Sequence, residues 1–453
     1  MKNATFHAGA AMVKTTPPLG TRINGDFITH YANFIHDDLY SRALVLQKAQ
    51  TRIALVVVDI CVMPKDFLDE VKAMIADKTG ISAQHVLISG THTHAAGSVA
   101  DVHLGSVDLA YREKLPGLIL KSVRLAIENL KPAQVAYGAV DVPEHLLCRR
   151  YFMQEAYEPF NPVTRGADLI KTNPFGAEQF IDRSVAPVDP QLSYMAVKGL
   201  DNSWISLLGN YSLHYAGDWE NGTISADYFG VFAEEISRLL DAGDGFVGMM
   251  SNGTSGDVNI WDFQDTDRYP KENFAKSKLI GEELALRIFR SLEGISWQTD
   301  PELSAIYEDL EIETVKPTEG ELELARKVVS LADYENIVIN QKGLEQLYAR
   351  EQILLNEFDD SRTCPVQVFK IGTGMIGGLA GEFFSETGLY LKAEVETAFY
   401  FTISMANGNV GYVPPLEEIH RGGYETWRCR YSCLIHGAEK IIREKLLDLT
   451  RRL

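Results

Sequence analysis

Two kinds of apolar run alternate in the first third of the chain. Arg52–Ile60 (RIALVVVDI) is almost continuously apolar, the pattern of a strand buried on both faces. Lys65–Lys78 sets Phe67, Val71 and Ile75 four residues apart, which predicts an amphipathic helix. Val86-Leu87-Ile88 predicts a second buried strand, ended by a turn at Ser89-Gly90. A longer helix is expected over Asp108–Leu130, with a kink near Pro116-Gly117. Ahead of these, Ala8–Val13 and Ser41–Gln47 predict two more strands.

Periodicity is lost over residues 145–190, which predicts a long binding loop or lid. It returns as strands at Leu192–Val197 and Trp204–Tyr211, a helix within Ser225–Leu240, a strand at Gly245–Met250 and a helix over Lys276–Leu292. Strand-like sequence runs to about Val315. Charged amphipathic helices at Glu321–Leu331 and Leu344–Phe358 then read as an αα-hairpin or a peripheral insertion, a helical insertion over about residues 316–360. Gly372–Gly377 matches G-x-G-x-x-G, but Pro365–Ile371 and Met375–Leu379 read as the arms of a hairpin. A dinucleotide-binding helix should begin within the glycines, so that function is rejected. The remainder predicts a helix at Ser385–Val395, a strand at Phe399–Met405, a glycine turn at Asn407–Tyr412, a loop at Pro414–Tyr424 and a closing helix at Leu434–Leu447. With no repeat or linker, the expectation is one large α/β domain over 1–453, mixed β-sheets flanked by helices.

The candidate chemistry sits at strand ends. His92 and His94 follow Val86–Gly90, and in an extended backbone residues two apart face the same way. Two aligned imidazoles are half of a tetrahedral zinc site; the alternative is two polar loop residues. His214 is a third histidine after a strand, and Glu382 a carboxylate at a strand-to-helix junction. Asp59, at the lip of its strand, reads either as a turn or helix cap or as a group orienting a histidine. Arg149 and Arg150, in the irregular stretch, read as oxyanion clamps or as a surface ion pair. Ser251–Phe263, rich in small and amide residues, reads as a turn offering backbone N–H groups to a ligand. Its Ser255 lies in G-T-S-G-D, not in a G-x-S-x-G elbow, and reads as a turn serine.

The totals narrow the partners. The 453 residues are 45% apolar and 23% charged, the composition of a soluble globular protein. With 43 basic against 62 acidic residues the net charge is −19, which argues against nucleic acid and anionic membrane surfaces. Five cysteines form no C-x-x-C pair, and the amino terminus has no apolar run long enough for a leader; no segment spans a bilayer. The expectation is a cytoplasmic protein acting on a small-molecule substrate, with a homo-oligomer left open.

The stretches SGTHTH, VDPQLSYMAVKG leading into GNYSLH, SNGTSGDVN, GLAGEFF and NGNVGYV, in this order, resemble the catalytic domain of the neutral (non-lysosomal) ceramidase family. The resemblance runs from about residue 8 to 430. It implies that fold, without the family's immunoglobulin-like C-terminal domain and secretion signal. It implies a Zn²⁺ ion held by His92, His94, His214, Glu382 and Tyr412, with Arg149 supporting the oxyanion as water attacks an amide carbonyl and Tyr412 also serving as a catalytic group. Three departures stand out: Cys148 precedes Arg149 where the family has asparagine, Asn259 takes the place of a family serine, and Ala95-Ala96-Gly97 replaces a serine–glycine–proline run. The implied activity is zinc-dependent hydrolysis of an N-acyl bond. A metal-dependent carbohydrate-active enzyme and a non-catalytic metal-dependent binding protein are the alternatives.

Overall fold

Strands Tyr40–Lys48 and Thr51–Val58, the most apolar of the amino-terminal region, pair antiparallel within an eight-stranded sheet. In this computed structural model, which describes residues 5–23 and 25–453, the order is Val247–Asn252, Trp204–Tyr211, Gln191–Gly199, Lys131–Asp141, His7–Lys14, Tyr40–Lys48, Thr51–Val58, Val86–Gly90. Residues 1–4, part of the stretch read for a leader, lie outside the described residues, as does residue 24. Helices α1 (Lys65–Thr79), α2 (Leu109–Glu128), α3 (Asp227–Leu239) and α4 (Ala275–Ser291) cover this sheet. Only the outermost pairs are parallel, and α1 and α3 make the crossovers that parallel pairing needs.

Alternation along each strand decides which layer a side chain enters. Ala43 and Val45 face α1 and α2, packing with Phe67, Val71, Ile119 and Val123. Leu44 and Leu46 face a second sheet, ordered Leu303–Glu313, Ser361–Ile371, Gly374–Leu379, Phe399–Ile403, and meet its Phe369, Ile371 and Phe401. The result is a mixed α/β domain of four layers: helices, large sheet, small sheet, and on the far side the closing helix Ala438–Arg451, whose Ile442 and Leu446 pack on Val366 and Val368.

The large sheet curls until its two outer strands are joined by one segment. After strand Phe399–Ile403, the N–H of Ser404 donates to Asn252 O at 3.0 Å, on one outer strand. Gly90 N then donates to Met405 O at 3.3 Å and Asn407 N to Ile88 O at 2.8 Å, on the other. Residues 404–407 thereby bring the ends of Val86–Gly90 and Val247–Asn252 to one place.

Several expectations change in detail. Ser89 and Gly90 belong to the strand rather than to a turn, and a Cβ on Gly90 would come within 2.9 Å of Ile60 O. Helix α2 is continuous through Pro116. The irregular region 145–190 carries a small antiparallel sheet, Arg150–Met153 between Ile170–Thr172 and Ile181–Ser184. The Gly372–Gly377 stretch is the hairpin turn and return strand expected, with no helix at its glycines. The closing helix starts at Ala438, after Gly437 at φ +89°.

The αα-hairpin of α5 (Glu319–Val329) and α6 (Gln341–Asn356) forms as expected, but it is not peripheral. Glu351 on α6 is fully buried and holds Arg430 through two contacts of 2.8 Å. Truncation leaves that cation without its partner, so Glu351→Ala should lower stability by about 3 kcal/mol, read by urea unfolding. A loss below about 1 kcal/mol is the surface-pair result and would reject this account. Among the described residues, no helix is long and apolar enough to cross a membrane.

Candidate metal centre

The His92–His94 turn is built by backbone hydrogen bonds and one strained residue. Thr91 N donates to Val58 O and His92 N to Ile60 O, each at 2.9 Å. His92 then takes φ +71°, a left-handed conformation uncommon outside glycine. The chain is therefore not extended across H-x-H as expected; it turns, and the two rings meet edge to face with centroids 5.0 Å apart. Thr93 locks the turn, donating to Ser225 O at 2.9 Å and accepting from Ala95 N at 3.1 Å.

The other candidates arrive from separate elements. His214 lies three residues past Trp204–Tyr211. Glu382 sits on the short strand Glu382–Phe383, paired parallel with Tyr412–Val413 so that Glu382 stands opposite Tyr412. Nε2 of His94 is 3.1 Å from Nε2 of His214 and 3.5 Å from Nε2 of His92. Glu382 Oε2 is 3.3 Å from His92 Nε2 and 3.8 Å from His214 Nδ1. That carboxylate oxygen is buried and has no hydrogen-bond partner. His92 Nδ1 is 2.9 Å from Cys61 O, a contact that fixes the proton on Nδ1 and turns Nε2 inward. His92, His214 and Glu382 thus form a group that could hold a metal ion, and His94 Nε2 lies 3.1 Å and 3.5 Å from the Nε2 atoms of His214 and His92.

Burial and neighbouring charges set the protonation of these groups. Burial, then the charges of His92 and Arg149, push His94 and His214 well below the ordinary imidazole pKa, so both are neutral, the ligating form. Burial also pulls His92 down, but the Glu382 carboxylate and Cys61 outweigh it and hold this imidazole well above its ordinary value. Burial raises the Tyr412 phenol well above its usual range, against the pull of Arg149.

Arg149 is braced beside the cluster. Its Nη1 is 3.3 Å from His214 Nδ1, Nη2 donates to Gly256 O at 2.7 Å, and Nε donates to Glu425 at 2.7 Å. Its guanidinium lies 5.4 Å from the Tyr412 ring centroid. His94, Arg149, His214 and Tyr412 open on a cavity of about 490 Å³, walled elsewhere by Trp219, Trp261, Phe175, Tyr424 and Trp427. Ile339 and Leu344, from the helical insertion, also line it.

A model of the family described as neutral/alkaline non-lysosomal ceramidase, N-terminal, matches residues 28–261, more than half of the chain. The chain belongs to this family. Its fold is similar to that of the neutral ceramidase from Pseudomonas aeruginosa, with a TM-score of 0.72 at 16% identity, covering 100% of this chain and 75% of that one. A ceramidase solved in complex with C2 gives a TM-score of 0.71 at 15% identity, over 99% and 76% of the two chains. The family match contains His92, His94, Arg149 and His214 and ends before Glu382 and Tyr412, which the fold nonetheless brings to the same place.

Within this ceramidase-family fold, other sequence candidates take different places. Asp59 orients no histidine: it is fully buried, bonded to Arg42 Nη1 at 2.6 Å and Tyr40 N at 2.8 Å, and the Cys61 carbonyl orients His92 instead. Arg150 is neither an oxyanion clamp nor a surface ion pair, because its donors go to Glu418, Glu425 and the Gly422 carbonyl in the interior. The Ser251–Phe263 turn directs its Gly253, Gly256 and Val258 N–H groups to Tyr211, Phe383 and Ser255 carbonyls, not to a ligand. It serves as a bracket, with the Gly256 and Asp257 carbonyls receiving Arg149. Ser255 is a buried residue of that bracket. Asn259 bonds Asn173 at 2.5 Å and so fixes the cavity wall. The sequence reading missed Glu425, fully buried, which joins Arg149, Arg150 and the Thr172 hydroxyl. Its one signal was an acid amid glycines and aromatics in GGYETW.

Proposed function

We propose that this protein is a zinc-dependent hydrolase that cleaves the amide bond of a small or amphiphilic N-acyl compound. The observation that carries the reading is the buried Glu382 oxygen, without a hydrogen bond and 3.3 Å and 3.8 Å from the His92 and His214 imidazoles, with Arg149 beside them at a cavity wall. Zinc fits these donors better than a hard cation, since imidazole nitrogens outnumber oxygens. His92, His94, His214 and Glu382 hold it, with Tyr412 completing the set. When bound, zinc supplies Lewis acidity, polarising a carbonyl and lowering the pKa of water toward neutrality. Arg149 stabilises the negative charge that develops on the carbonyl oxygen, and Glu425 keeps its guanidinium in place. Tyr412, which lines the cavity with its ring 5.4 Å from the Arg149 guanidinium, is the proposed carrier of a proton to the leaving nitrogen. Five cysteines, all free and buried, support a reducing compartment, and the cytoplasm is the proposed location.

Metal analysis and turnover test this together. Purified protein should carry about one zinc per chain, and chelation should abolish N-acyl hydrolysis until zinc is restored. Less than about a tenth of an equivalent after zinc-replete expression rejects the metal assignment. The aromatic wall of Trp219, Trp261 and Trp427 also suits sugar rings, so glycosides belong in the same screen; their cleavage without amide turnover favours the carbohydrate reading.

Chain length separates this reading from plain ceramide hydrolysis. The cavity has the volume of a site for a small molecule, and Ala95 and Ala96 beside the metal cluster are fully buried. The specificity constant across N-acyl groups from acetyl to palmitoyl should therefore vary little. A kept lipid groove would add about 0.8 kcal/mol per methylene, so a steady rise to a maximum at palmitoyl-sphingosine restores ceramide as the substrate.

A further inference from the structure

Among the described residues, the cavity beside the imidazole cluster holds a side-chain cation with no ion pair or hydrogen bond. Among the charged groups that line it, Arg149 is held by Glu425 and the Gly256 carbonyl, and Asp26 is bonded to His30 at 2.9 Å and to Phe27 N at 2.6 Å. Lys171, half-buried in the same wall, has neither an ion pair nor a hydrogen bond among the described residues. The nearest acid in its field is Asp168, whose oxygens are engaged elsewhere, accepting from Asn161 at 2.8 Å, Gly423 N at 2.9 Å and Trp427 Nε1 at 2.7 Å. Burial lowers the pKa of the Lys171 ammonium, with Asp168 opposing. In a chain with 62 acids against 43 bases, a lysine left without a carboxylate inside a pocket is out of keeping with the surface around it.

Its position is fixed. Lys171 is the middle residue of strand Ile170–Thr172, opposite Tyr151, and the next residue, Thr172, donates its hydroxyl to Glu425 at 2.7 Å. Glu425 is the carboxylate that also holds Arg149, so the free ammonium and the metal cluster are tied to one buried anchor. Asn173, held by Asn259, follows in the same wall.

We infer that the substrate carries an anionic group, a carboxylate or a related sulfonate or phosphate, and that Lys171 receives it while the scissile bond lies at the imidazole cluster. A bound anion gives Lys171 the charge partner that the protein withholds, and a charge-assisted contact of this kind is worth about 10- to 100-fold in affinity. The inference rests on the N-acyl hydrolase reading only for the bond that is cleaved.

The test uses zinc-loaded full-length protein and one acyl group, butyryl, on glycine, taurine, aminoethyl phosphate and, as the neutral member, ethanolamine. N-succinyl-ethylamine places the charge on the acyl side instead. Wild-type protein should prefer at least one anionic compound by about 10- to 100-fold in kcat/KM, and the ranking identifies which anion. Lys171→Met should erase that preference while leaving the neutral compound's kcat/KM and the zinc content unchanged; Lys171→Arg should keep most of it. Saturation-transfer NMR with the same compounds reads binding without turnover. If nothing in the series is hydrolysed but the anionic compounds bind wild-type and not Lys171→Met protein, the amidase reading fails and the anion site stands. Equal binding of charged and neutral compounds, or a preference that survives Lys171→Met, overturns the inference.

Discussion

His94→Ala protein should emerge from purification folded, without zinc and without hydrolytic activity. His94 Nε2 lies 3.1 Å from His214 Nε2 and 3.5 Å from His92 Nε2, so its loss opens the wall of the cluster that faces the cavity. The fold should survive because His94 is only partly buried and the turn that carries it is held by Thr93 and by backbone bonds to Val58 and Ile60. Circular dichroism and a thermal scan check the fold, and mass spectrometry of digested protein checks the metal. The scan should shift downward, since a ligand that binds only the native state contributes to stability and is absent here. Full zinc and full activity in His94→Ala protein would mean that the centre lies elsewhere.

The second large effect is expected at Arg149. Arg149→Ala should retain zinc and lose roughly two to three orders of magnitude in turnover, the loss seen when one donor to a developing oxyanion is removed. Glu425→Gln makes the accompanying case. It preserves shape but removes the charge that fixes Arg149, Arg150 and Thr172, so turnover should fall by a smaller factor than in Arg149→Ala, with zinc content again intact. The neighbouring Arg150→Ala variant separates chemistry from support: its contacts to Glu418, Glu425 and Gly422 are all internal, so it should lose stability first. Unchanged turnover in Arg149→Ala assigns that residue to architecture alone.

How far the sequence reaches is clearest at the metal centre. His92, His94, His214 and Glu382 were marked by residue type at strand ends, Tyr412 was added by the resemblance of the motifs, and the fold brings these residues to one region. The α/β class and most strands and helices followed from apolar runs of period two and four. What was not legible is long-range. Glu425 reaches Arg149 across 276 residues, and no local pattern announces such a pair. The partner of Asp59 is Arg42, a neighbour only because two strands pair antiparallel. The left-handed turn at His92 is imposed by bonds to another strand, so an extended H-x-H was the natural but incorrect expectation. The helical insertion looked solvated because its helices carry charged residues at intervals, while the one that docks it, Glu351, resembles the others in sequence.

The segment at residues 404–407 has a bearing on how the protein is made. Until it is in place, Val86–Gly90 and Val247–Asn252 are both unpaired along one side, and such edges recruit other strands. A ribosome delivers His92, His94 and His214 early, but Glu382, the closing segment and Tyr412 come in the last quarter of the chain. Until residues 382–412 have been made, the nascent polypeptide therefore carries an open sheet and an incomplete candidate site. Any metal held at the candidate site would be captured only after Tyr412 has been made, and until residues 404–407 are in place the two open strand edges remain free to recruit other strands.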